Sequence, residues 1–496
     1  MSRYILAVDQ STQGTKGLLF DENGVLTARA DRPHRQIVNE KGWVEHDPAE
    51  ILENTVAVCG DVLTKAGVDG ADVAAIGISN QRETSMMWDK ASGRPIHNAI
   101  VWQCARAAEI CERSEIAGKA EEIRRKTGLN LSPYFPAAKL CWLMENVPEV
   151  KALASQGRLA CGTMDSWLVY CLTGNHKTDY SNASRTQLFN IVDLKWDAEI
   201  CELFSIPADS LPEVCMSDGN FGETDLQGLL PHSVPIHGVL GDSHGALFGQ
   251  DCRKPGQIKA TYGTGSSVMM HIGDQPKFSG SGLVTSLAWG MNGKVEYVFE
   301  GNLNYTGAVM TWLRKEVGLI STDAEATELA YKANPNDRTY FVPAFTGLGA
   351  PYWDSRVTGL LTGITRTTGR AEIAKACLDC IAYQITDLVE LMRGDSGIAV
   401  DTLRVDGGPT ASRYLMQFQS DIANVAVQIP ELQELSGMGA AYAAGMAAGL
   451  YGPDVYRHIR RQKYAPSVDA VKRNTLYQGW QNAIRQTLSQ KQTSSI

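Results

Sequence analysis

No stretch of the chain approaches the roughly 20 consecutive apolar residues that a membrane-crossing helix needs, so no span is expected. Met1 to Val8 holds one Arg and too few apolar residues before Asp9 to make a signal peptide or an anchor. Long Lys/Arg runs are missing as well. With 46 basic against 55 acidic residues and a net charge of -9, a phosphate backbone would be repelled, which argues against a nucleic-acid partner. The two short basic clusters, Arg124 to Lys126 and Arg457 to Lys463, read as solvated helix faces. There is no G-x-x-x-x-G-K-[ST], no G-x-G-x-x-G after a strand and no H-E-x-x-H, which removes the P-loop, the dinucleotide fold and the common zinc hydrolases. Only Cys377 and Cys380 form a C-x-x-C, and no second pair exists to complete a zinc site. They fall on the apolar stripe Ile373, Cys377, Cys380 or Ile381, Leu388, Leu391, which assigns them to a buried helix face.

What remains is an ordinary folded composition, 44% hydrophobic and 20% charged, in 496 residues, enough for two domains. Eleven scattered cysteines inside apolar segments suit a reducing compartment, and the cytoplasm is the expected location. Asn182-Ala183-Ser184 matches a glycosylation acceptor, but without a route to secretion the match is void.

The chain opens with an apolar run, Tyr4 to Val8, a Gly/Thr-rich turn from Asp9 to Thr15, and a second apolar run, Gly17 to Phe20. Asn23-Gly24 then signals a hairpin into Val25 to Ala30, giving three antiparallel strands. The arrangement returns at Gln257 to Thr261, Gly263-Thr264-Gly265 and Ser266 to Ile272, with Asn292-Gly293 as a later hairpin, and suggests a duplicated domain. The polar segment Gln250 to Gln257 marks the boundary, giving domains 1–249 and 250–496. Helical patterns such as Pro48 to Ala66, Glu372 to Met392 and Met438 to Leu450 alternate with strands such as Val73 to Ser79, which predicts α/β domains with mixed sheets flanked by helices.

A third Gly turn, Asp406-Gly407-Gly408, follows the strand Leu403 to Val405 and precedes a helix from about Ala411 to Asn424. Glycines delivered to a helix N-terminus expose backbone N–H groups to an anion, although glycines after strands are more often simple turns. Three such turns, at Asp9 to Thr15, Gly263 to Gly265 and Asp406 to Gly408, are what a cleft between two domains needs to hold a triphosphate. A carboxylate beside such a turn, Asp9, tolerates phosphate only with a cation between them, Mg²⁺ being the natural choice; equally, Asp9 is read as a turn residue capping its own loop.

Several segments together resemble the FGGY family of carbohydrate kinases, which includes glycerol, xylulose, ribulose and gluconate kinases, and within it glycerol kinases most. They are Val8-Asp9-Gln10, Gly42 to Pro48, Ile78 to Thr84, Ala99 to Cys104, Asp179 to Leu188, Leu247 to Gln250, Thr261 to Gly265, Pro343 to Asp354, Arg404 to Gly408 and Leu415 to Asp421. The resemblance implies a pair of ribonuclease-H-like, actin-like ATPase domains closing on a cleft. It also implies an ATP- and Mg²⁺-dependent kinase acting on a primary hydroxyl, with Asp242 as general base, a role worth about 10² to 10⁴ in rate. Arg82, Glu83, Trp102 and Tyr134 then fall at polyol-binding positions, with Ser243 and Ser267 beside them. By residue type alone Arg82-Glu83 reads as a surface pair and Trp102 as core. Thr12, Gln13, Gly14, Lys16, Thr264, Gly307, Gly407 and Gly408 fall at nucleotide positions, and Asp9, through water, and Asp242 at the Mg²⁺. Relatives of this kind imply a homodimer or homotetramer.

The match departs at informative places. The first loop, Ser11-Thr12-Gln13-Gly14-Thr15-Lys16, is closer to the sugar-kinase branch, and Lys16 offers a point charge where Arg would offer a planar fork. Ser243 stands where glycerol kinases have Gln, and Ser267 where they have Phe, so a roomier pocket is expected. Glycerol is the leading substrate on this reading, with a four- or five-carbon polyol or ketose such as erythritol or xylulose as the alternative, and a non-catalytic, actin-like nucleotide sensor as the rival of another class. Asp225 to Pro235 lacks a Gly-rich, Arg-bearing loop for fructose bisphosphate, so inhibition by that route is not expected; activity lost at millimolar concentration would contradict this.

Overall fold

A computed structural model describes residues 3–489. The first lobe is built on a six-stranded sheet whose longer strands are β1 (Tyr4–Gln10), β2 (Gly14–Phe20), β3 (Leu26–Pro33), β4 (Val73–Asn80) and β5 (Val234–Gly241). They lie in the order β5-β4-β1-β2-β3, with β1, β2 and β3 antiparallel and β4 and β5 parallel to β1. The hairpin between β2 and β3 turns at Gly24, whose φ of 75 is the left-handed geometry that Gly adopts without strain.

β1 is buried on both faces, as its unbroken apolar run requires. Leu6 and Val8 join Ile51, Cys59 and Val62 of helix α1 (Pro48–Ala66), whereas Ile5 and Ala7 join Leu435, Met438 and Ala441. Helix α1 starts at Asp47, whose side chain accepts from Ala49 N, with Pro48 in the first turn, and stops at Gly67 in the left-handed conformation. Helix α2 (Asp242–Gly249) follows β5 directly.

The second lobe repeats the plan. Its strands are β6 (Ile258–Tyr262), β7 (Ser266–Gly273), β8 (Val284–Met291), β9 (Lys294–Leu303), β10 (Thr402–Asp406), β11 (Ala426–Pro430) and β12 (Arg461–Tyr464). They run β8-β9-β7-β6-β10-β11-β12, so β9-β7-β6-β10-β11 repeats the order and directions of β3-β2-β1-β4-β5. Helices α3 (Gly307–Lys315), α4 (Arg370–Ser396) and α5 (Arg413–Ala423) cover this sheet. Cys377 and Cys380 are buried in α4 as free thiols, and burial pushes Cys377 up to about 12 and Cys380 well above its ordinary value.

Helix α6 (Leu435–Ala447) comes from the second half of the chain but packs on the first sheet. Small residues make this approach possible. A Cβ on Gly439 would stand 1.9 Å from the Gly245 carbonyl oxygen of α2, and a Cβ on Gly77 or Gly238 would stand 2.5 or 2.3 Å from the Ala440 oxygen. These are backbone neighbours that cannot rotate aside, so glycine is demanded by contact.

Both basic clusters differ from the solvated helix faces expected of them. Arg124 reaches the Ser279 carbonyl of the second lobe, and Lys126 bridges Asp197 at 3.2 Å and Glu199. Arg457 to Lys463 spans a single 3₁₀ turn and β12. Asn182, the apparent glycosylation acceptor, is buried and bonded to Asn80 and Asp179.

Candidate active site

Asp242 opens α2 at the end of β5, where the chain leaves the sheet into the cleft, and its side chain is 35% exposed. Arg82, just beyond β4, donates from Nε to Asp242 Oδ1 at 3.2 Å, and the backbone N–H of Ser243 donates to the same oxygen at 2.6 Å. Both donors fall on Oδ1, which leaves Oδ2 free to take a proton.

Arg82 does not lie on the surface. Its Nη1 and Nη2 donate to the two oxygens of Glu300 on β9, at 3.0 and 2.9 Å. Arg185 pairs through Nη1 with Glu300 Oε2, the oxygen that also accepts from Arg82 Nη1, at 2.8 Å, and donates from Nε to Glu83 at 2.6 Å. Ser267 on β7 adds its hydroxyl to Glu300 at 3.3 Å. Glu83-Arg185-Glu300-Arg82-Asp242 is therefore one chain of alternating charge that joins the lobes. Burial works against the Glu300 charge, but Arg185 and Arg82 outweigh it and hold the carboxyl well below the usual range. Glu83 sits at φ 61, a left-handed strain that surrounding structure must hold, and Arg185 grips its carboxylate.

Trp102 and Tyr134 face each other with ring centroids 5.6 Å apart. The Trp102 indole donates to the Thr12 hydroxyl at 3.0 Å, so Thr12 is drawn to the same side of the cleft as Trp102. Lys139 is fully buried and donates to the Pro133, Tyr134 and Phe135 carbonyls, pinning the segment that carries Tyr134. Burial pulls the Lys139 ammonium down to about 7. His244, one turn into α2, is pushed well below its ordinary value by burial and then by the Arg82 charge, so it is a neutral imidazole.

The remaining sequence-picked residues fall at and near the turns after β1, β6 and β10. Asp9 ends β1 buried, with Lys16 Nζ 3.5 Å from Oδ2 and no hydrogen bond at Oδ1, so it does not cap its own loop. Burial raises its pKa, Lys16 opposes this, and the Asp242 charge raises it further. Lys16 is itself held by Glu434 at 2.8 Å. Lys16, Thr261, Asp406, Gly407 and Gly408 border a cavity of 670 Å³. A smaller one of 140 Å³ is bordered by Gly307, Gly408, Met310, Leu378 and Leu415, and suits a flat apolar group. Gly407 has φ 98 and a Cβ there would meet the Tyr262 oxygen at 2.0 Å, whereas Gly408 has open space before it. Gly263-Thr264-Gly265 abuts the start of α3, where Gly307 N donates to the Gly263 carbonyl at 2.9 Å. Gly14 lies in β2, and its missing Cβ makes room for the Arg32 carbonyl at 2.6 Å. Gln13 is exposed at the loop tip.

Asp9 with an orphaned oxygen, beside a second carboxylate at Asp242, is a fitting place for a divalent cation. Among the described residues no group of three or more His, Cys, Asp or Glu gathers around one point, so most of such a cation's ligands would be phosphate and water, as suits Mg²⁺. No helix among the described residues is long and apolar enough to cross a membrane.

Sequence reasoning missed Glu300, Arg185, Lys139 and Glu434. Arg185 lay within the matching segment Asp179 to Leu188; the others carry no local signal, because their partners are 33 or more residues away in the chain except for the Lys139 carbonyls.

Two lobes of one strand order, meeting at a cleft with a carboxylate poised at a helix start, define an actin-like ATPase fold with phosphotransfer geometry. The chain belongs to the FGGY family of carbohydrate kinases: the N-terminal domain model of that family matches residues 4–249 and the C-terminal domain model residues 258–448. It is thus an ATP-using phosphotransferase with an alcohol as acceptor. It is 46% identical to glycerol kinase 2 of Thermotoga maritima over 98% of this chain and 99% of that protein. Among solved structures it is similar to Plasmodium falciparum glycerol kinase with ADP, at a TM-score of 0.92 and 34% identity, covering 98% of each chain. Xylulose kinase from Lactobacillus acidophilus shares the fold at a TM-score of 0.88 and 23% identity, covering 99% of each chain.

Proposed function

We propose that this chain transfers the γ-phosphate of ATP to a primary hydroxyl of glycerol or a closely related small polyol, with Asp242 as general base. The observation that carries the proposal is accessibility combined with orientation. Asp9, Glu83 and Glu300 have side chains no more than 6% exposed, whereas Asp242 is 35% exposed with one oxygen pinned and the other free. The similarity to relatives named as glycerol kinases supports the choice of acceptor.

In this mechanism the polyol hydroxyl donates to Asp242 Oδ2, its oxygen forms the bond to phosphorus, and its proton passes to Oδ2 as the bond to the ADP oxygen breaks. Arg82 and the Ser243 N–H keep the carboxylate from rotating. Trp102 and Tyr134 wall the carbon chain, and Arg82 and Glu83 supply a donor and an acceptor to its other hydroxyls. Backbone N–H groups of the turns at 263–265 and 407–408, with Lys16, meet the phosphates, while Gly307 and Gly408 border the nucleoside pocket. Bound at Asp9 and Asp242, Mg²⁺ would offset charge on the phosphate oxygens. Orientation and charge balance carry most of the rate in such transfers. Residues 1–249 supply the base and most polyol contacts, and 250–496 most nucleotide contacts. Free and mostly buried cysteines suit work in the reducing cytoplasm, and a homodimer or homotetramer is the expected assembly.

The test is ADP release with glycerol for wild type and Asp242→Asn. The variant should lose about 10² to 10⁴ in kcat. Turnover within a factor of a few of wild type would sink the assignment of Asp242 as base, and no glycerol-dependent ADP release by the wild type would favour a nucleotide sensor.

A further inference from the structure

We infer that His46 is a positioning residue for the phosphotransfer: its imidazole is the joint of a closed ring of hydrogen bonds that holds Thr12, at a nucleotide position, and Trp102, at a polyol position, in one fixed relation. This rests on the kinase reading above and deepens it.

His46 ends a short strand, Val44–His46, that pairs antiparallel with Ala99–Ile100, so His46 lies opposite Ala99, three residues before Trp102. On its other side Asp47 caps α1, so the backbone is held at both neighbours, and the side chain is fully buried.

From the imidazole the ring runs both ways. Gln81 Nε2 donates to His46 Nδ1 at 3.1 Å, Gln81 Oε1 accepts from the Thr84 hydroxyl at 2.8 Å, and that hydroxyl accepts from the Trp102 backbone N–H at 3.3 Å. In the other direction His46 Nε2 meets Gln36 Oε1 at 2.9 Å, Gln36 Nε2 donates to the Thr12 carbonyl at 2.7 Å, and the Thr12 hydroxyl accepts from the Trp102 indole at 3.0 Å. Thr12 and Trp102 are thus each gripped through backbone and side chain together. One bond would leave a hinge; two fix an orientation.

Two backbone carbonyls of the turn after β1, which only accept, dictate the direction of these bonds. The Ser11 carbonyl takes Gln10 Nε2 at 2.8 Å, which turns Gln10 Oε1 to Gln81 Nε2 at 3.0 Å and commits both hydrogens of that amide, one to Gln10 and one to His46. The Thr12 carbonyl takes Gln36 Nε2, which turns Gln36 Oε1 to His46. Both routes require the same imidazole, with Nδ1 accepting and Nε2 carrying the proton. His34 packs edge-on at 4.5 Å, and burial, then that second imidazole, hold the His46 pKa down to about 3, so the ring stays neutral. At the far end the indole N–H is a donor only, so the Thr12 hydroxyl accepts there and its own hydrogen is left to donate to a phosphate oxygen.

The experiment measures kcat and KM for glycerol and ATP, from ADP release by the full chain well below each variant's melting midpoint. The variants are His46→Phe, His46→Gln, Gln36→Leu and the double variant of His46→Phe with Gln36→Leu. His46→Phe keeps a flat ring without donor or acceptor, and kcat should fall about 10- to 10²-fold, the scale of a misplacement of about 1 Å. His46→Gln again offers a donor and an acceptor and should recover kcat to within about threefold of wild type. Gln36→Leu opens the ring at a half-buried position and should lower kcat about tenfold, whereas the double variant should be little worse than His46→Phe alone, because both changes break one ring. In long-range ¹⁵N spectra of the wild type, the signal lost in His46→Gln should be that of a neutral imidazole protonated on Nε2; a proton on Nδ1 overturns the ring. A kcat for His46→Phe within about threefold of wild type, a His46→Gln as slow as His46→Phe, or losses that simply multiply in the double variant overturn the role while leaving the kinase intact. Should His46→Phe fail to fold, Gln36→Leu decides: a kcat about tenfold lower upholds the role and an unchanged one overturns it. No glycerol-dependent ADP release by the wild type overturns the kinase reading and this role together.

Discussion

Glu300→Gln tests the charge chain that joins the two lobes. The substitution keeps shape and volume but removes the carboxylate charge that bridges Arg82 and Arg185. Three ion-pair contacts of 2.8 to 3.0 Å meet at this carboxylate, with partners no more than 6% exposed. Breaking a buried pair by neutralising one member costs about 3 to 5 kcal/mol. Gln retains one carbonyl acceptor, Arg82 keeps Asp242 and Arg185 keeps Glu83, so the lower end, about 3 kcal/mol, is expected. Arg82, freed from Glu300, can turn its Nη groups onto Asp242 Oδ2, the oxygen reserved for the substrate proton. If that cost falls on the transition state, kcat/KM drops by about 10²-fold. The assay pairs ADP release with the denaturant midpoint at pH 7. An acid series adds a second reading. The folded Glu300 pKa lies below the ordinary 4.5, so as pH falls beneath that value the unfolded chain takes up a proton first and wild-type stability drops. The Gln variant lacks this titration, and the stability gap should narrow in acid. A variant equal to wild type in midpoint and in kcat/KM at pH 7 refutes the reasoning.

Lys139→Met should leave the carbonyls of residues 133–135 without their donor, destabilise the protein by about 1 to 3 kcal/mol, and raise KM for the polyol more than it lowers kcat, because Tyr134 loses its anchor. The folded Lys139 pKa of about 7 lies below the ordinary 10.5, so the unfolded chain holds this proton longer and wild-type stability should rise from about pH 7 upward, a rise that melting curves of the Met variant should lack. Gly439→Ala places a methyl 1.9 Å from the Gly245 oxygen and should cost about 3 kcal/mol or more, visible as a lower melting temperature and weakened activity, since α2 carries Asp242; an unchanged melt would show that the helices can separate freely.

Much of the architecture was legible because it rests on local rules. The turn at Gly24, the helical run Pro48 to Ala66 and the hairpin at Asn292-Gly293 involve residues a few positions apart, and their conformational preferences act before any tertiary contact forms. The repeated strand-turn-strand openings came through for the same reason. The site was legible in part. Asp242, Arg82 and Trp102 stood out only through matching segments, since a lone Asp at a strand end or an Arg-Glu pair has no local signature.

What the amino-acid order determined by itself is periodicity and backbone freedom: which runs become buried strands, where glycine lets the chain turn, and that two like halves exist. Only the tertiary structure decided that Glu300 lies between two arginines from the other lobe, that Lys139 holds Tyr134, and that α6 crosses from the second half onto the first sheet. The reason is range. Helix and turn preferences act over a few residues, whereas a buried charge acquires its partner only when folding brings together positions such as 82 and 300, which the intervening chain does not relate.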